Sequence, residues 1–220
     1  MAATRLLDSL YGSPTHANKE DPLDELIFIL LSQMTTHQSY ERVFDRLKAK
    51  APTWDVVAGM PLRRLKGLIK DAGLSNQKAP RIKTILRRIR ADFAEFSLSQ
   101  LAGLETPEAE RYLTSLPGVS MKTAKCVLMY SLGREVLPVD THVLRVSRRL
   151  GFTDQKVIGA RAHRDLEALV PPEFRYSFHV NAIAHGRLRC LAQNPRCGAC
   201  VLKSICLNKG RVNGGAQSGV

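Results

Sequence analysis

No part of this sequence is apolar for long enough to cross a membrane. A membrane-spanning helix needs about 20 apolar residues, whereas the longest apolar run here extends only from Leu26 to Leu31. The segment from Met1 to Asn18 has no long apolar block either, so we expect no signal peptide. We therefore predict a protein of the cytoplasm, associated with the nucleoid in a bacterium, where disulfides are disfavoured.

The alternation of apolar and polar residues that is typical of β-strands is also missing. Apolar residues recur instead at helical spacing, as at Ile82, Ile85 and Leu86, and Asp21-Pro22 is a typical helix start. We predict an all-α protein with a disordered tail from residue 208 to 220. Its main predicted helices span residues 23–34, 36–50, 78–96, 122–132, 140–150, 155–170 and 173–187.

Acidic residues are scarce relative to basic ones. Twenty Asp and Glu face 33 Lys and Arg, which gives a net charge of +13 and a pI near 9.9. Such an excess favours a polyanionic partner, most often nucleic acid. A basic protein without such a partner stays an alternative, and the basic residues of segment 78–96, Arg81 and Lys83 among them, fit a solvated helix face.

Cysteine is rare, but four of the five cysteines lie near one end of the chain. Cys190, Cys197, Cys200 and Cys206 are separated by six, two and five residues. Four thiolates in one short loop bind zinc or an iron–sulphur cluster. Because zinc sites more often use two C-x-x-C pairs and only one occurs here, the spacing favours an iron–sulphur cluster with a structural role. Cys126 stands apart, in an apolar helix, and is predicted to be buried.

The stretch from Leu116 to Ala124 combines a tight turn with a helix start. Gly118 permits a turn that a side chain would obstruct, and the N–H groups at the following helix start can bind a phosphate. Lys122 lies in the first turn of that helix, where the helix dipole and the nearby Lys125 should lower its pKa. A neutral amine is what a Schiff-base nucleophile requires.

Each of these features also has a simpler interpretation. The turn could be an ordinary corner between two helices, and Lys122 could be a surface lysine or a phosphate contact. Asp140 precedes Thr141 at another helix start, where aspartate is a common N-cap. It could cap the helix and still direct a carboxylate towards a substrate.

Taken together, three motifs resemble one family. Leu-Pro-Gly-Val-Ser-Met-Lys-Thr-Ala (116–124), Val-Asp-Thr-His (139–142) and the C-x6-C-x2-C-x5-C loop are similar to endonuclease III, a helix–hairpin–helix DNA glycosylase with a [4Fe-4S] cluster. The resemblance extends from about Pro22 to Cys206. It implies a two-lobed fold with a helical barrel domain of residues 22–132 and a cluster domain of residues 1–21 and 133–207.

The resemblance also implies an activity. Members of the family remove oxidised pyrimidines from duplex DNA and nick the abasic site by β-elimination. By this analogy Lys122 is the nucleophile, Asp140 is the assisting carboxylate and the four clustered cysteines are the [4Fe-4S] ligands. The expected partner is double-stranded DNA with damaged bases or abasic sites, bound by a monomer.

The DNA contacts implied by the resemblance include two loops that penetrate the duplex. Leu74 falls at the position of a wedge residue, and Met34 falls where a glutamine usually contacts the orphaned base, with Gln33 one place earlier. The full set of implied contacts is Gln33, Met34, Leu74, Leu116, Gly118, Ser120, Lys125 and Arg196.

Three departures from the family pattern support an alternative. Besides Met34, Ser120 replaces the last glycine of the hairpin, and Arg196 is the single basic residue between the first two clustered cysteines. The chain could therefore be a weakly active or inactive DNA-binding relative. A monofunctional adenine-type glycosylase would lack Lys122, and a zinc-bound structural protein is a third alternative.

Overall fold

The computed structural model describes residues 2–12 and 18–208, and all regular elements in these ranges are helical. The predicted all-α fold is therefore confirmed, whereas the predicted tail lies, apart from Asn208, outside the described residues. The α-helices are α1 (Ala2–Tyr11), α2 (Pro22–Ser32), α3 (His37–Lys50), α4 (Trp54–Gly59), α5 (Leu62–Leu68), α6 (Ser75–Phe93), α7 (Thr106–Ser115), α8 (Met121–Tyr130), α9 (Thr141–Leu150), α10 (Gly159–Leu169) and α11 (Pro172–Leu188), with short 3-10 helices at Lys70–Ala72 and Ser99–Gly103. No helix of the described chain is both long enough and apolar enough to span a bilayer.

The chain divides into two compact units. A central unit comprises Ala17–Arg134, and a second, terminal unit combines Met1–His16 with Glu135–Val220. The sequence predicts divisions after residues 21 and 132, whereas the structure divides the chain after His16 and after Arg134.

Helix α2 is the core of the central unit. Asp21 caps its start by accepting the N–H groups of Leu23 and Asp24. The helix is apolar nearly all round, as the sequence indicates, and α3, α6 and α8 pack against it. The surrounding helices therefore hold this one helix in place by burying apolar surface on almost every side.

Two helix ends differ from the sequence prediction. Helix α2 ends at Ser32 and not at Met34, because the buried ammonium of Lys78 binds the carbonyls of Leu31 and Gln33. Helix α10 begins at Gly159 and not at residue 155. The preceding segment forms a turn in which the Asp154 side chain accepts the N–H of Lys156.

In the terminal unit, helix α11 packs against both α1 and α9. Its buried polar side chains attach it to neighbouring backbone: His179 contacts the Pro138 carbonyl at 2.7 Å, and Asn181 donates to the Asp8 carboxylate and the Gly12 carbonyl. Phe178 is fully buried in the apolar core of this unit, against which the cysteine loop also packs. These contacts bring residues from the two ends of the chain into one core.

Candidate active site

The loop between α7 and α8 is a tight hairpin with a buried base. Leu116 is 2% exposed, and the N–H of Val119 donates to its carbonyl over 3.1 Å. Gly118 has φ 75°, a left-handed conformation that glycine adopts at low cost. Pro117 and Gly118 form the exposed tip. The side chain of Leu116 therefore belongs to the core, and the predicted DNA contact of this residue stays a prediction.

Ser120 begins the helix that carries the predicted nucleophile. Its side chain accepts the N–H of Thr123 over 3.3 Å, which makes it the N-cap of α8. Lys122 is the second residue of this helix, in the first turn as predicted, and it is half-buried. Its catalytic role and its lowered pKa stay predictions.

Arg81 of α6 lies against the hairpin. A Cβ atom built on Gly118 would be 2.3 Å from its Nε, so the guanidinium occupies the space beside the glycine. Its Nη1 also lies 3.5 Å from Oε1 of Gln33. Arg81 and Lys83, which binds the carbonyl of Met60 at 2.6 Å, are half-buried. The expected solvated face therefore holds for the exposed Arg87, Arg88 and Arg90 of this helix, but not for Arg81 and Lys83.

A buried carboxyl group lies in the electrostatic environment of Lys122. Glu25 of α2 is 0% exposed, and its oxygens accept the side-chain N–H of Asn18 and the backbone N–H of Lys19. Burial raises the pKa of Glu25, while these hydrogen bonds and the charge of Lys122 act in the opposite direction. From the sequence, Glu25 is recognised only as an acidic residue in the first turn of a helix. A carboxylate in an otherwise apolar helix is the signal that could have indicated its burial.

Lys125 is buried, and its predicted DNA contact stays a prediction. Its side chain is 5% exposed and forms an ion pair with Glu110 at 2.7 Å. The ammonium is therefore not presented at the surface, where it would contact DNA. The pairing carboxylate also offsets the repulsion that Lys125 was expected to exert on Lys122.

Asp140, in the terminal unit, caps helix α9. One carboxylate oxygen accepts the N–H groups of His142 and Val143 over 2.9 and 2.8 Å. The side chain is half-buried and follows the buried residues 136–139. The N-cap interpretation is confirmed, and the second carboxylate function stays a prediction.

The two predicted DNA-penetrating loops expose their side chains. Met34 is 88% exposed with φ 56°, and Leu74 is 47% exposed with φ 50°. Gln33 is half-buried next to Met34. Leu74 thus lies outside the core, although its role as a wedge is untested. Sequence reasoning missed Lys78, whose buried ammonium contacts both loops, because no local pattern indicates these distant contacts.

The four clustered cysteines line one small cavity in the terminal unit, together with apolar side chains such as Leu202. Among the described residues, no three His, Cys, Asp or Glu side chains are close enough together to hold a single metal ion. Burial raises the pKa of Cys200, and the negative charges of the other three cysteines raise it further. Four cysteine thiolates are the ligand set of a [4Fe-4S] cluster, so the four cysteines that line this cavity fit such a cluster.

Arg149 of α9 binds the cysteine loop through its guanidinium. Arg149 donates to the sulphur of Cys190 over 3.1 Å and to the carbonyls of Leu191 and Ala192. The predicted DNA contact Arg196 has an exposed side chain, while its backbone N–H donates to the Arg189 carbonyl. The loop is thus attached to α9 and to the end of α11.

Two family models match ranges of this chain. Residues 27–172 match the family described as "HhH-GPD superfamily base excision DNA repair protein", and residues 190–206 match the "Iron-sulfur binding domain of endonuclease III". The chain is 34% identical to endonuclease III of Escherichia coli over 210 residues, covering 96% of this chain and 95% of the relative. It is 33% identical to endonuclease III of Bacillus subtilis, covering 91% and 89%.

Solved structures give the same result. A trapped covalent endonuclease III–DNA intermediate superposes with a TM-score of 0.79 at 29% identity, covering 94% of this chain and 93% of that chain. A non-covalent endonuclease III–DNA complex gives 0.80 at the same identity and coverage. A thermostable thymine-DNA glycosylase, 22% identical with a TM-score of 0.77, shares the fold.

The chain therefore belongs to the helix–hairpin–helix base excision DNA repair superfamily and, within it, to the endonuclease III family. It is a DNA glycosylase, and the loop of Cys190, Cys197, Cys200 and Cys206 holds a [4Fe-4S] cluster. When bound, the cluster supplies a covalent cross-link between these positions.

Loss of one clustered cysteine should remove iron, whereas loss of the isolated cysteine should not. Wild-type protein should be yellow-brown with about four irons per chain. Cys200→Ser should lose visible absorption and solubility, because the loop cannot order without its cross-link. Cys126→Ala, which removes the buried cysteine of α8, is the matched control and should retain full iron. Stoichiometric zinc in a colourless wild-type preparation would contradict the assignment.

Proposed function

We propose that this protein excises oxidised pyrimidines from duplex DNA and cleaves the resulting abasic site by β-elimination through a Schiff base on Lys122. The observation that carries the proposal is the position of Lys122. It is half-buried in the first turn of α8, directly behind the Gly118 hairpin and in the field of the buried Glu25. A lysine between a phosphate-binding turn and an apolar core is suited to reach a sugar attached to the bound backbone.

The hairpin would hold the DNA backbone without reading its sequence. The tip at Gly118 presents backbone N–H groups at the start of α8, where the helix dipole favours a phosphate. The guanidinium of Arg81 lies against the same glycine and adds a fixed positive charge. The net charge of +13 would support binding of the duplex through phosphates in general.

The chemistry would begin with a nucleotide rotated out of the stack, which costs least for a damaged base. The neutral amine of Lys122 attacks the anomeric carbon C1′, the bond from C1′ to the base breaks, and the base leaves with the bonding electrons and takes up a proton. Asp140 stabilises the positive charge that develops on the sugar and accepts a proton from the attacking amine.

Strand cleavage would then follow from the Schiff base. Opening of the sugar ring gives an iminium between C1′ and Nζ of Lys122, which acidifies the C2′ hydrogen. Removal of that proton forms a C1′–C2′ enamine, and the 3′ phosphate leaves from C3′ with its bonding electrons. Hydrolysis releases the unsaturated aldehyde and restores the lysine. We propose that a monomer in the cytoplasm, associated with the nucleoid, performs these steps.

Replacement of Gly118 by valine should weaken binding to all duplexes alike. The left-handed φ and the close Arg81 side chain leave no space for a branched residue. Fluorescence anisotropy against salt should show a lower affinity and a salt slope that is shallower by about one unit. The double variant Gly118→Val/Arg81→Ala lacks the arginine that valine would displace. A loss of affinity that persists in this variant relative to Arg81→Ala alone is due to backbone strain at residue 118. A change in lesion preference would mean that the hairpin reads bases.

Lys122→Gln should abolish the borohydride-trapped adduct on abasic DNA while duplex binding persists, because one cation among many adds little affinity.

Asp140→Asn retains a capping side chain, so the fold should hold and base excision should fall about a hundredfold or more. Adduct formation by the Lys122→Gln protein would place the nucleophile elsewhere. If wild-type protein binds abasic DNA but forms no adduct, the alternative of an inactive relative is favoured.

Leu74→Ala should slow excision of an oxidised pyrimidine more than it slows nicking of a pre-formed abasic site, since the latter needs less unstacking. Parallel single-turnover assays on the two substrates measure this ratio. Because Leu74 is 47% exposed, its truncation should cost little thermal stability. A large fall in melting temperature with equal rate losses on both substrates would show that Leu74 only packs beneath its turn.

A further inference from the structure

One buried lysine joins the two loops that carry the exposed Met34 and Leu74. Lys78, in the first turns of α6, is 2% exposed. Its Nζ donates to the carbonyls of Leu31, Gln33 and Ala72, each over 2.7 Å, and lies 3.2 Å from the Thr35 hydroxyl oxygen. The three N–H bonds of one ammonium are thus directed at three backbone carbonyls from two segments that are distant in sequence.

The second contact between the loops involves Thr35. Its hydroxyl donates to the carbonyl of Ala72, the same carbonyl that Lys78 binds. The segment 31–35 at the end of α2 and the segment 72–74 before α6 are therefore connected through Lys78. Met34 and Leu74 each lie within two residues of a carbonyl that accepts a hydrogen bond from Lys78.

Both exposed residues have a backbone conformation that local sequence does not favour. Met34 and Leu74 have φ values of 56° and 50°, although neither is glycine. A non-glycine residue in the left-handed conformation is strained and persists only where neighbouring contacts impose it. The Lys78 contacts at Gln33 and Ala72, beside these two residues, can impose it.

We propose that Lys78 is a positioning residue, whose ammonium fixes the relative placement of Met34 and Leu74 so that both can enter the duplex when a nucleotide is flipped. This inference rests on the proposed function, because it assigns a task to loops that would act on DNA. Lys78 itself is buried beneath the loops and does not touch the reacting atoms.

The contact should respond to pH in an accessible range. Burial lowers the pKa of Lys78 from 10.5 to about 8, and the charge of Arg81 contributes. The groups that face Lys78 from segments 31–35 and 70–72 are carbonyls and the Thr35 hydroxyl, while Asp71 pairs with Arg46 at 2.7 Å. Above about pH 8 the neutral amine has two N–H donors for three carbonyls, so one of them loses its partner.

The test compares two lysines of the same helix. Lys78→Met removes the contact between the loops, whereas Lys83→Met removes a half-buried lysine that binds the carbonyls of Ala58 and Met60 at the end of α4. Each protein is assayed for single-turnover excision of an oxidised pyrimidine and for borohydride adduct formation on pre-formed abasic DNA. We expect Lys78→Met to lower the excision-to-adduct rate ratio about tenfold or more, and Lys83→Met to leave it unchanged.

A spectroscopic readout reports on the loops directly. A duplex with 2-aminopurine beside an abasic site should brighten when the loops enter the stack, and wild-type protein should lose this signal with a midpoint near pH 8. Lys78→Gln retains two N–H donors but no titrating proton, so its signal should be pH-independent across the same range. Circular dichroism identifies any variant that fails to fold, and if Lys78→Met fails, the pH response of the wild-type signal against that of Lys78→Gln tests the role of Lys78.

The outcomes separate this inference from the proposed function. If wild-type protein forms no adduct, the proposed function fails, while the 2-aminopurine comparison still tests the role of Lys78. If wild-type protein forms the adduct but Lys78→Met keeps the wild-type ratio, because both rates are unchanged or both fall equally, the positioning role is overturned. A wild-type fluorescence signal without change between pH 7 and 9 would overturn the pH response.

Discussion

Burial of helix α2 is the constraint on which the central unit depends. Helices α3, α6 and α8 all pack against it, so each is placed by how it covers this one apolar cylinder. Glu25 lies at its beginning, in the field of Lys122, and the Leu31 carbonyl at its end binds Lys78. With a rise of about 1.5 Å per residue, these two positions are separated by roughly 9 Å along the axis. The two buried ionisable contacts are therefore held at a fixed spacing by one helix.

The two ionisable groups buried at the ends of α2 both oppose stability at neutral pH. The folded chain releases the Lys78 proton near pH 8 and the unfolded chain near 10.5. The unfolded state thus binds more protons in this window, and the free energy of unfolding rises as pH increases through it. For Glu25 the raised pKa gives the reverse slope, since the folded state then binds more protons just above the ordinary pKa of 4.5. Apolar residues at positions 25 and 78 would avoid the free-energy cost of burying these two charged groups. This supports a role of Glu25 and Lys78 in geometry over one in stability.

Local sequence signals predict the helices and their starts well, because these depend on neighbours. Asp21 and Asp140 cap helices as expected, and the Gly118 turn lies where its sequence places it. The early end of α2 and the burial of Lys125 could not be predicted, because each results from a partner that is distant in sequence. Lys78 is 47 residues from the Leu31 carbonyl, and Glu110 lies on a different helix from Lys125.

The structure gives Ser120, one of the departures from the family pattern, a role in stabilising helix α8. Serine in place of the last hairpin glycine is one of the departures behind the alternative of a weakly active relative, but the Ser120 oxygen accepts the Thr123 N–H at the start of α8. Such a cap stabilises a helix by about 1 kcal/mol relative to alanine. It also fixes the first turn, which carries Lys122, against fraying. Ser120 therefore supports the segment where the proposed chemistry begins, and Met34 is the departure whose effect must be sought at the orphaned base.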